Sequence, residues 1–306
     1  MARFFSGLRR RYSAATVSTK VIYINAGVFI AVRLAGIVLT LCGVSPEALL
    51  RWVELPSDLW QLACRPWTAL TYMWVHYDIL HILFNMLFLY WFGYLFLGTH
   101  SPRHFVGLYI LGGLGGAALY LLAYNTLPYF GGATGMMLGA SASILAIVVA
   151  AAVRTPQLKI PLLLIGPVSL KWLAIATIFI DLISIGSSNA GGHIAHIGGA
   201  AVGLAFGLAL RRGTDITRPI NAIIDWMVNL FSRPKAVRVQ WPKSATPKKK
   251  APRAKAAKTQ GQSASRQEKA EAEAEMDLIL DKIKKSGYKA LTADEKRRLF
   301  QASKKL

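Results

Sequence analysis

The chain has 306 residues, of which 54% are hydrophobic, and it carries a net charge of +21 at neutral pH. Because the apolar residues occur in long blocks, the composition excludes an ordinary soluble domain of this length and disfavours a soluble nucleic-acid-binding protein. A membrane-spanning helix needs about 20 mostly apolar residues. Six windows meet that requirement: 21–43, 79–98, 104–124, 136–153, 168–186 and 191–210. The sequence therefore predicts an all-α membrane protein with a bundle of six transmembrane helices.

Basic residues accumulate at every second junction between these windows, whereas the loops at 125–135 and 187–192 carry no charge. Lysine and arginine accumulate on the cytoplasmic side of a membrane, so this alternation predicts that both termini are cytoplasmic. The residues at the charged junctions are Arg3, Arg9, Arg10, Arg11, Lys20, Arg103, His104, Arg154, Lys159, Lys171, Arg211 and Arg212.

Residues 1–19 form a basic N-terminal segment that is rich in arginine and serine and has no acidic residue. Mitochondrial transit peptides have the same composition, but this segment continues into an apolar stretch that is too long for the core of a signal peptide. An uncleaved first span is the simpler prediction. Cys42 and Cys64 fall near the non-cytoplasmic side, where they could pair. Two cysteines form no disulfide framework, so they are interpreted as packing residues.

Ionisable residues at membrane depth are costly, and those near the spans are therefore informative. The string HYDILHILFN in span two contains His76 at the outer end, followed by His81 and Asn85, which are four residues apart and share a helical face. Arg33 and Asp181 are charges inside spans one and five. They either pair with each other or each reach a polar cavity. A role for Asp181 as a third catalytic residue is disfavoured.

Span four follows a glycine-rich outer loop and begins near the string LGASAS, which places Ser141 at or near a helix N-terminus. Free backbone N–H groups and the helix dipole favour a developing negative charge there. A serine at this position is also commonly just a helix cap.

Span six begins with GGHIAHIGGAAVG and contributes His193 and His196. Three glycines follow close to the face of His196, so this face is predicted to approach a neighbouring helix closely. A packing seam with an incidental histidine is the alternative interpretation. The glycines are Gly199, Gly203 and Gly207.

The alternating topology places Ser141, His196, His81 and Asn85 in the outer half of the membrane, although they belong to three different spans. A serine, a base and hydrogen-bond donors at one depth are what an acyl-transfer site requires. Asp78 is the one acidic residue expected at that level. The sequence thus predicts a Ser–His dyad rather than a triad.

Three segments follow the last span. Residues 213–232 show helical apolar spacing that predicts an amphipathic juxtamembrane helix, with a plain juxtamembrane linker as the alternative. Residues 233–268 are predicted to be a disordered basic linker, whose charge is explained by attraction to anionic lipids rather than to nucleic acid. Residues 269–306 predict a helical hairpin, in which Thr292 and Glu295 form a capping box.

Over residues 20–212 the chain resembles the rhomboid intramembrane proteases. The resemblance is carried by HxxxxHxxxN in span two, GxS at the start of span four and AHxxGxxxG in span six. It implies that Ser141 is the nucleophile, that His196 is the base and that His81 and Asn85 bind the oxyanion. It also implies that His76 is a supporting histidine at the outer end.

The sequence departs from the pattern of this family at three places. Ala142 replaces the last glycine of the usual GxSG, and Leu145 occupies a position where a tyrosine often stacks on the base. The usual Trp-Arg pair of the first loop is absent, so the role of its arginine is either lost or moved to Arg65. The terminal hairpin is similar to a short domain that follows some bacterial rhomboid cores. This similarity favours a bacterial inner membrane over a mitochondrial one.

The resemblance implies a serine endopeptidase that cleaves the transmembrane helices of substrate proteins near the outer membrane face, with no cofactor and no metal. An inactive relative that binds membrane proteins without cutting them is the first alternative. A transporter is the second, but its polar residues should lie at the midplane, whereas those found here cluster towards one face.

Overall fold

The computed structural model describes Gly7, Arg10 and residues 12–162, 165–186 and 189–231, together with Lys282, Leu291, Thr292 and residues 294–297. The chain divides into two compact units, Met1–Ala236 and Val237–Leu306. The predicted linker 233–268 lies outside the described residues, as does most of the predicted hairpin 269–306.

The first unit is built mainly from helices, and each of the six predicted windows overlaps one of them. The main helices are α1 (Val17–Leu41), α2 (Ile79–Leu97), α3 (Pro102–Thr126), α4 (Ser141–Arg154), α5 (Leu170–Ile183), α6 (Ala190–Arg211) and α7 (Arg218–Phe231). Among the described residues, four helices are long and apolar enough to cross a membrane, namely α1, α2, α3 and α6. Helices α4 and α5 have only 14 residues each. By length, the structure therefore supports four of the six predicted spans, and α4 and α5 are shorter than the windows 136–153 and 168–186 that predict them.

Glycines allow helices α3, α4 and α6 to pack closely against one another. A Cβ atom added to Gly199 would overlap the carbonyl oxygen of Ala142, and one added to Gly203 would overlap that of Ala146. On the α3 side of α4, a Cβ atom at Gly112 would overlap the side chain of Ala146. The prediction that the glycine face of α6 contacts a neighbouring helix is confirmed, and the contact holds the start of α4 against α6.

Short elements connect the helices. The strands are β1 (Leu55–Pro56), β2 (Met136–Met137), β3 (Lys159–Leu162) and β4 (Gly166–Ser169). Strand β1 lies between α1 and α2 and pairs antiparallel with β2, with Leu55 opposite Met137, while β3 and β4 form a hairpin before α5. The β1–β2 pair links the first loop to the segment directly before α4. The short helical segments are Glu47–Leu50, Leu59–Cys64, Thr68–Thr71, Tyr72–Trp74, Pro128–Phe130 and Ser184–Gly186.

The first loop is held by its own side chains. Arg65 donates hydrogen bonds to the carbonyl oxygen of Arg51 and, at 2.5 Å, to Oε1 of Gln61. The indole N–H of Trp67 donates to the carbonyl oxygen of Trp52 at 2.8 Å, and the two indole rings stack. Arg65 therefore stabilises this loop.

Cys42 and Cys64 are both free and exposed. The interpretation of these cysteines as packing residues is therefore wrong, and they do not form the disulfide that the sequence left open.

In the second unit, Thr292 and Glu295 make the reciprocal hydrogen bonds of a capping box. The backbone N–H of Thr292 donates to the carboxylate of Glu295 at 2.7 Å, and the N–H of Glu295 donates to the hydroxyl of Thr292 at 3.3 Å. Lys282 forms an ion pair with the same carboxylate at 2.8 Å. The predicted capping box is confirmed.

Candidate active site

Ser141 and His196 are brought into contact by the packing of α4 on α6. Ser141 is the first residue of α4, and His196 lies in the second turn of α6. The Oγ atom of Ser141 lies 2.6 Å from Nε2 of His196. An imidazole nitrogen at this distance can take the proton of the hydroxyl, which turns the oxygen into a nucleophile.

The turn that precedes α4 has a conformation that depends on glycine. Gly139 has a φ of +118°, which side-chain-bearing residues rarely adopt, and its N–H donates to the carbonyl oxygen of Tyr72 at 2.9 Å. The N–H of Ile144 donates to the carbonyl oxygen of Ala140 in the first turn of the helix. The N–H of Ser141 therefore precedes the first intrahelical hydrogen bond and remains a donor beside the Ser141 hydroxyl.

A cavity of about 390 Å³ opens beside the Ser141 hydroxyl, and His81, Asn85 and His196 line it. A Cβ atom at Gly139 would lie 2.8 Å from Nε2 of His81 and 3.8 Å from Oγ of Ser141, so the His81 ring reaches the turn that carries the serine. Asn85 donates one amide hydrogen to the carbonyl oxygen of His81 at 2.8 Å. A side-chain amide has two such hydrogens, so the second can donate into the cavity.

His76 lies behind this wall of the cavity and is only 1% exposed. Its Nε2 accepts the backbone N–H of Ala140 at 3.4 Å, and its ring packs edge-on against His81 with 5.0 Å between the ring centroids. Burial, and to a lesser degree the neighbouring His81, lower the pKa of His76 to about 4. The ring is therefore neutral near pH 7 and can accept the Ala140 hydrogen bond, which supports the turn before Ser141.

The prediction that no acidic residue other than Asp78 accompanies the site is wrong. Asp181 of α5 is 5% exposed, and its Oδ1 lies 2.8 Å from Nδ1 of His196. An imidazole that donates from Nδ1 to a carboxylate keeps its lone pair on Nε2. Asp181 therefore holds His196 in the tautomer that can accept the Ser141 proton. Asp78 instead caps α2, where it accepts the N–H of His81 at 2.8 Å.

Asp181 does not pair with Arg33. The first alternative that the sequence left open, an ion pair between them, is therefore wrong. The second, in which each charge reaches a polar cavity, does not hold for Asp181, which lines neither the cavity beside Ser141 nor that of Arg33. Arg33 and Glu47 line a separate cavity of about 390 Å³. Asp181 instead contacts the two histidines of α6.

The neighbouring serine and histidine occupy different surroundings. Ser143 is fully buried, and its Oγ atom lies 4.0 Å from the sulfur of Met73. His193 approaches Asp181, with Nδ1 at 2.8 Å from Oδ1, so one carboxylate oxygen accepts from both histidines of α6. The geometry thus favours Ser141 over Ser143 and His196 over His193 as the reactive pair. Asp181, His193 and His196 also form a group whose ligand atoms lie within 4.8 Å of one another, close enough to share a metal ion.

Comparison with known proteins matches one family model within each unit. Residues 63–213 match the rhomboid domain, and residues 265–305 match a family of unknown function, DUF6576. The chain is 34% identical to RHOMBOID-like protein 12, mitochondrial, of Arabidopsis thaliana over an alignment of 158 residues. That alignment covers 48% of this chain and 47% of the relative, so it spans about half the length of each protein.

Proposed function

The chain belongs to the rhomboid family, and on that premise we propose that it is an intramembrane serine endopeptidase. One observation carries the proposal. The Ser141 hydroxyl lies 2.6 Å from the His196 imidazole at the edge of a cavity that His81 and Asn85 also line. A nucleophile, a base and two side-chain donors in one cavity are the inventory of acyl transfer.

In the proposed reaction, Nε2 of His196 takes the proton of Ser141 while Oγ attacks a peptide carbonyl. The N–H of Ser141, the imidazole of His81 and the amide of Asn85 are the donors for the oxyanion. His196 then protonates the leaving amine, and water hydrolyses the acyl-enzyme with His196 again acting as base. His76 keeps the turn before Ser141 in place.

Asp181 extends the predicted dyad. Its carboxylate accepts from Nδ1 of His196 at 2.8 Å, which orients the ring and stabilises the imidazolium that forms when Ser141 loses its proton. His193 shares the same oxygen and helps to hold this buried carboxylate in place. We therefore assign Asp181 a positioning role, with His193 as its support.

The proposed substrates are membrane proteins with a transmembrane helix. A helix hides its carbonyl groups in backbone hydrogen bonds, so cleavage requires local unwinding. Unwinding costs least where Gly, Pro or polar residues interrupt the helix near the membrane face. Small side chains at the scissile position follow from the family resemblance.

The proposed location is a bacterial inner membrane, crossed by all six helices α1–α6, with both termini in the cytoplasm. A mitochondrial inner membrane is the alternative, and the name of the Arabidopsis relative favours it. Protease-accessible tags before Met1 and after Leu306 test the orientation, because tags on opposite sides would require an odd number of spans. Anionic lipids are the proposed partners of the basic segment 233–268.

A serine-directed fluorophosphonate probe tests the function without knowledge of the substrate. The wild type should be labelled and Ser141→Ala should not be, and the wild type should cleave a reconstituted transmembrane helix that contains Gly or Pro near one end. Truncation after Ser232 should leave both activities largely intact, because every residue of the proposed site precedes it. A correctly folded wild type that neither labels nor cleaves would favour the alternative function, an inactive rhomboid-like protein that binds membrane clients.

A further inference from the structure

Asp181, His193 and His196 bring three metal-ligating groups together beside the active-site cavity. The two histidines are three residues apart on α6 and share a face, while Asp181 comes from α5. Oδ1 of Asp181 lies 2.8 Å from Nδ1 of each histidine, and the ligand atoms of all three lie within 4.8 Å of one another. Two imidazoles and a carboxylate are a ligand set that zinc uses with one position left open.

The second oxygen of Asp181 is an independent indication of a ligand. The Asp181 side chain is only 6% exposed, and Oδ2 has no hydrogen-bond partner among the described residues. A buried carboxylate oxygen without a donor is unfavourable, because it has lost water and gained nothing in return. Both Nδ1 atoms contact Oδ1, so a cation bound beside this carboxylate would supply the partner that Oδ2 lacks. Such an ion can reach the group, since the side chains of His193 and His196 are 20% and 24% exposed.

We propose that Asp181, His193 and His196 form a zinc site and that zinc bound there reversibly inhibits the serine protease. The inhibition, though not the metal binding, rests on the proposed function. Imidazole ligands favour zinc, whereas magnesium and calcium require shells of oxygen ligands. Ligand atoms on a tetrahedral zinc lie about 3.3 Å apart, given zinc–nitrogen distances of about 2.0–2.1 Å. Asp181 therefore needs to move about half an ångström from each imidazole to admit the ion.

Inhibition follows from the tautomer of His196. In the metal-free enzyme the proton is on Nδ1, which donates to Asp181, and Nε2 accepts from Ser141. Zinc requires the lone pair of Nδ1, so the proton moves to Nε2 of the same ring, and no proton is gained or lost overall. A ring protonated at Nε2 donates to the Ser141 oxygen instead of accepting from it. The serine then has no base.

Direct zinc binding is measured first, in a protein that cannot turn over. Ser141→Ala retains all three ligands, and Cys42→Ser with Cys64→Ser removes the exposed thiols that would bind zinc elsewhere. Calorimetry with zinc chloride on this variant, purified without a histidine tag, should give one site per chain. Adding His193→Ala should weaken binding by more than about tenfold, which is the smallest cost of losing even an outer partner of a metal site. His104→Ala, a histidine outside the group, is the matched control and should change nothing.

Folding and function are separated by two further measurements. His193→Cys keeps a zinc ligand and should retain binding that His193→Ala loses, so a loss in both variants with unchanged thermal stability would overturn the site. In the protein with intact Ser141, fluorophosphonate labelling should stop at saturating zinc and return after EDTA. Zinc bound with labelling unaffected would overturn the inhibition, and zinc affinity unchanged by His193→Ala would overturn the site itself. Calorimetry tests zinc binding even if the wild type is never labelled. A failure of the zinc-site proposal can therefore be distinguished from a failure of the protease proposal.

Discussion

Each end of the helix bundle has an aspartate near two histidines. The two aspartates differ in the groups that donate hydrogen bonds to them. At one end Asp181 meets His193 and His196. At the other, Asp215 lies 3.4 Å from His104, whose ring packs edge-on against that of His100.

The nearest hydroxyl distinguishes the two ends. Thr217 is fully buried and donates both its hydroxyl, at 2.6 Å, and its N–H, at 2.8 Å, to Asp215 two residues away. Ser141 instead gives its hydroxyl to an imidazole and faces a cavity. We therefore interpret the Asp215 group as structural, because its hydrogen-bond donors come from Thr217 two residues away. The Asp181 group is the proposed reactive one, because the Ser141 hydroxyl at the start of α4 contacts its imidazole.

The largest effect should come from the reactive pair. Ser141→Ala and His196→Ala should each reduce kcat on the order of 10⁶-fold, because nucleophile and base act as one unit. His104→Ala at the opposite end should label like the wild type. Fluorophosphonate labelling and cleavage of a model substrate measure this. Labelling that persists in Ser141→Ala and disappears in Ser143→Ala would show that Ser143 is the nucleophile.

The two aspartates give the next contrast. Asp181→Asn should lower the labelling rate by about 10⁴-fold, because an amide in this position favours the wrong tautomer of the base. Asp181→Glu should recover part of the rate and restore the wild-type pH profile, which a purely structural role would not require. Asp215→Asn is the matched control and should leave the rate unchanged. Equal labelling rates in Asp181→Asn and wild type would show that Asp181 does not contribute and that the reactive group is the Ser141–His196 dyad alone.

Removing one oxyanion donor should cost less. Asn85→Ala should reduce kcat by about 10²–10³-fold, since the Ser141 N–H and His81 remain. The change should appear in kcat rather than in KM, because the donor acts on charge that develops in the transition state. An unchanged kcat would mean that the free amide hydrogen of Asn85 does not reach the oxyanion.

The scaffold that holds the reactive end can be tested through its glycines. Gly199→Ala should destabilise the protein by about 1–3 kcal/mol, because the added methyl group overlaps the carbonyl oxygen of Ala142. Gly27→Ala on α1 is the matched control, since nothing lies within 4 Å of a Cβ atom there. Thermal unfolding in detergent compares the two. Equal unfolding midpoints would show that α4 and α6 can separate at no cost.

The smallest effect concerns pH at the opposite end. Burial alone would raise the pKa of Asp215, but the hydroxyl and N–H of Thr217, with His104, outweigh it and hold the pKa below 3.8. A carboxyl group whose pKa is lower in the folded state stabilises the protein at pH values above its unfolded-state pKa. This contribution is lost as the pH falls through the folded-state pKa. The wild type should therefore unfold at a higher temperature than Asp215→Asn near pH 7, and the difference should shrink below about pH 4. A difference that grows on acidification would contradict the assignment.

Much of the site could be predicted from the sequence. The start of α4 at Ser141 and the packing of Gly199 and Gly203 follow from residue types whose backbone effects are local. The sequence pattern disfavours Asp181 as a partner of His196, although the alternating topology that groups the other residues also places the end of span five at the same level. The available signal was a buried acid within one turn or two of that end, which requires a partner.

The spacing of residues along the sequence does not show which helices are neighbours or where a helix begins. Whether Arg33 reaches Asp181 depends on which helices are neighbours, and α1 packs against α2 and α3 rather than α5. The window 136–153 begins before helix α4, because hydropathy does not detect the positive φ of Gly139 or the pairing of β2 with β1. Ala142 replaces a family glycine without conflict, because Gly116 and Gly199 leave room on both sides of it.

The length of α4 has a consequence for the depth in the bilayer at which the proposed protease would cut. Fourteen residues make a helix of about 21 Å, roughly 9 Å shorter than a hydrocarbon layer of about 30 Å. If Arg154 at the other end of α4 is anchored at the headgroups, the hydroxyl of Ser141 reacts below the opposite surface by that difference. The thickness of the bilayer then sets the depth of Ser141 below the surface. A thicker membrane buries the serine deeper, so lipid acyl length should shift the position at which a substrate helix is cleaved.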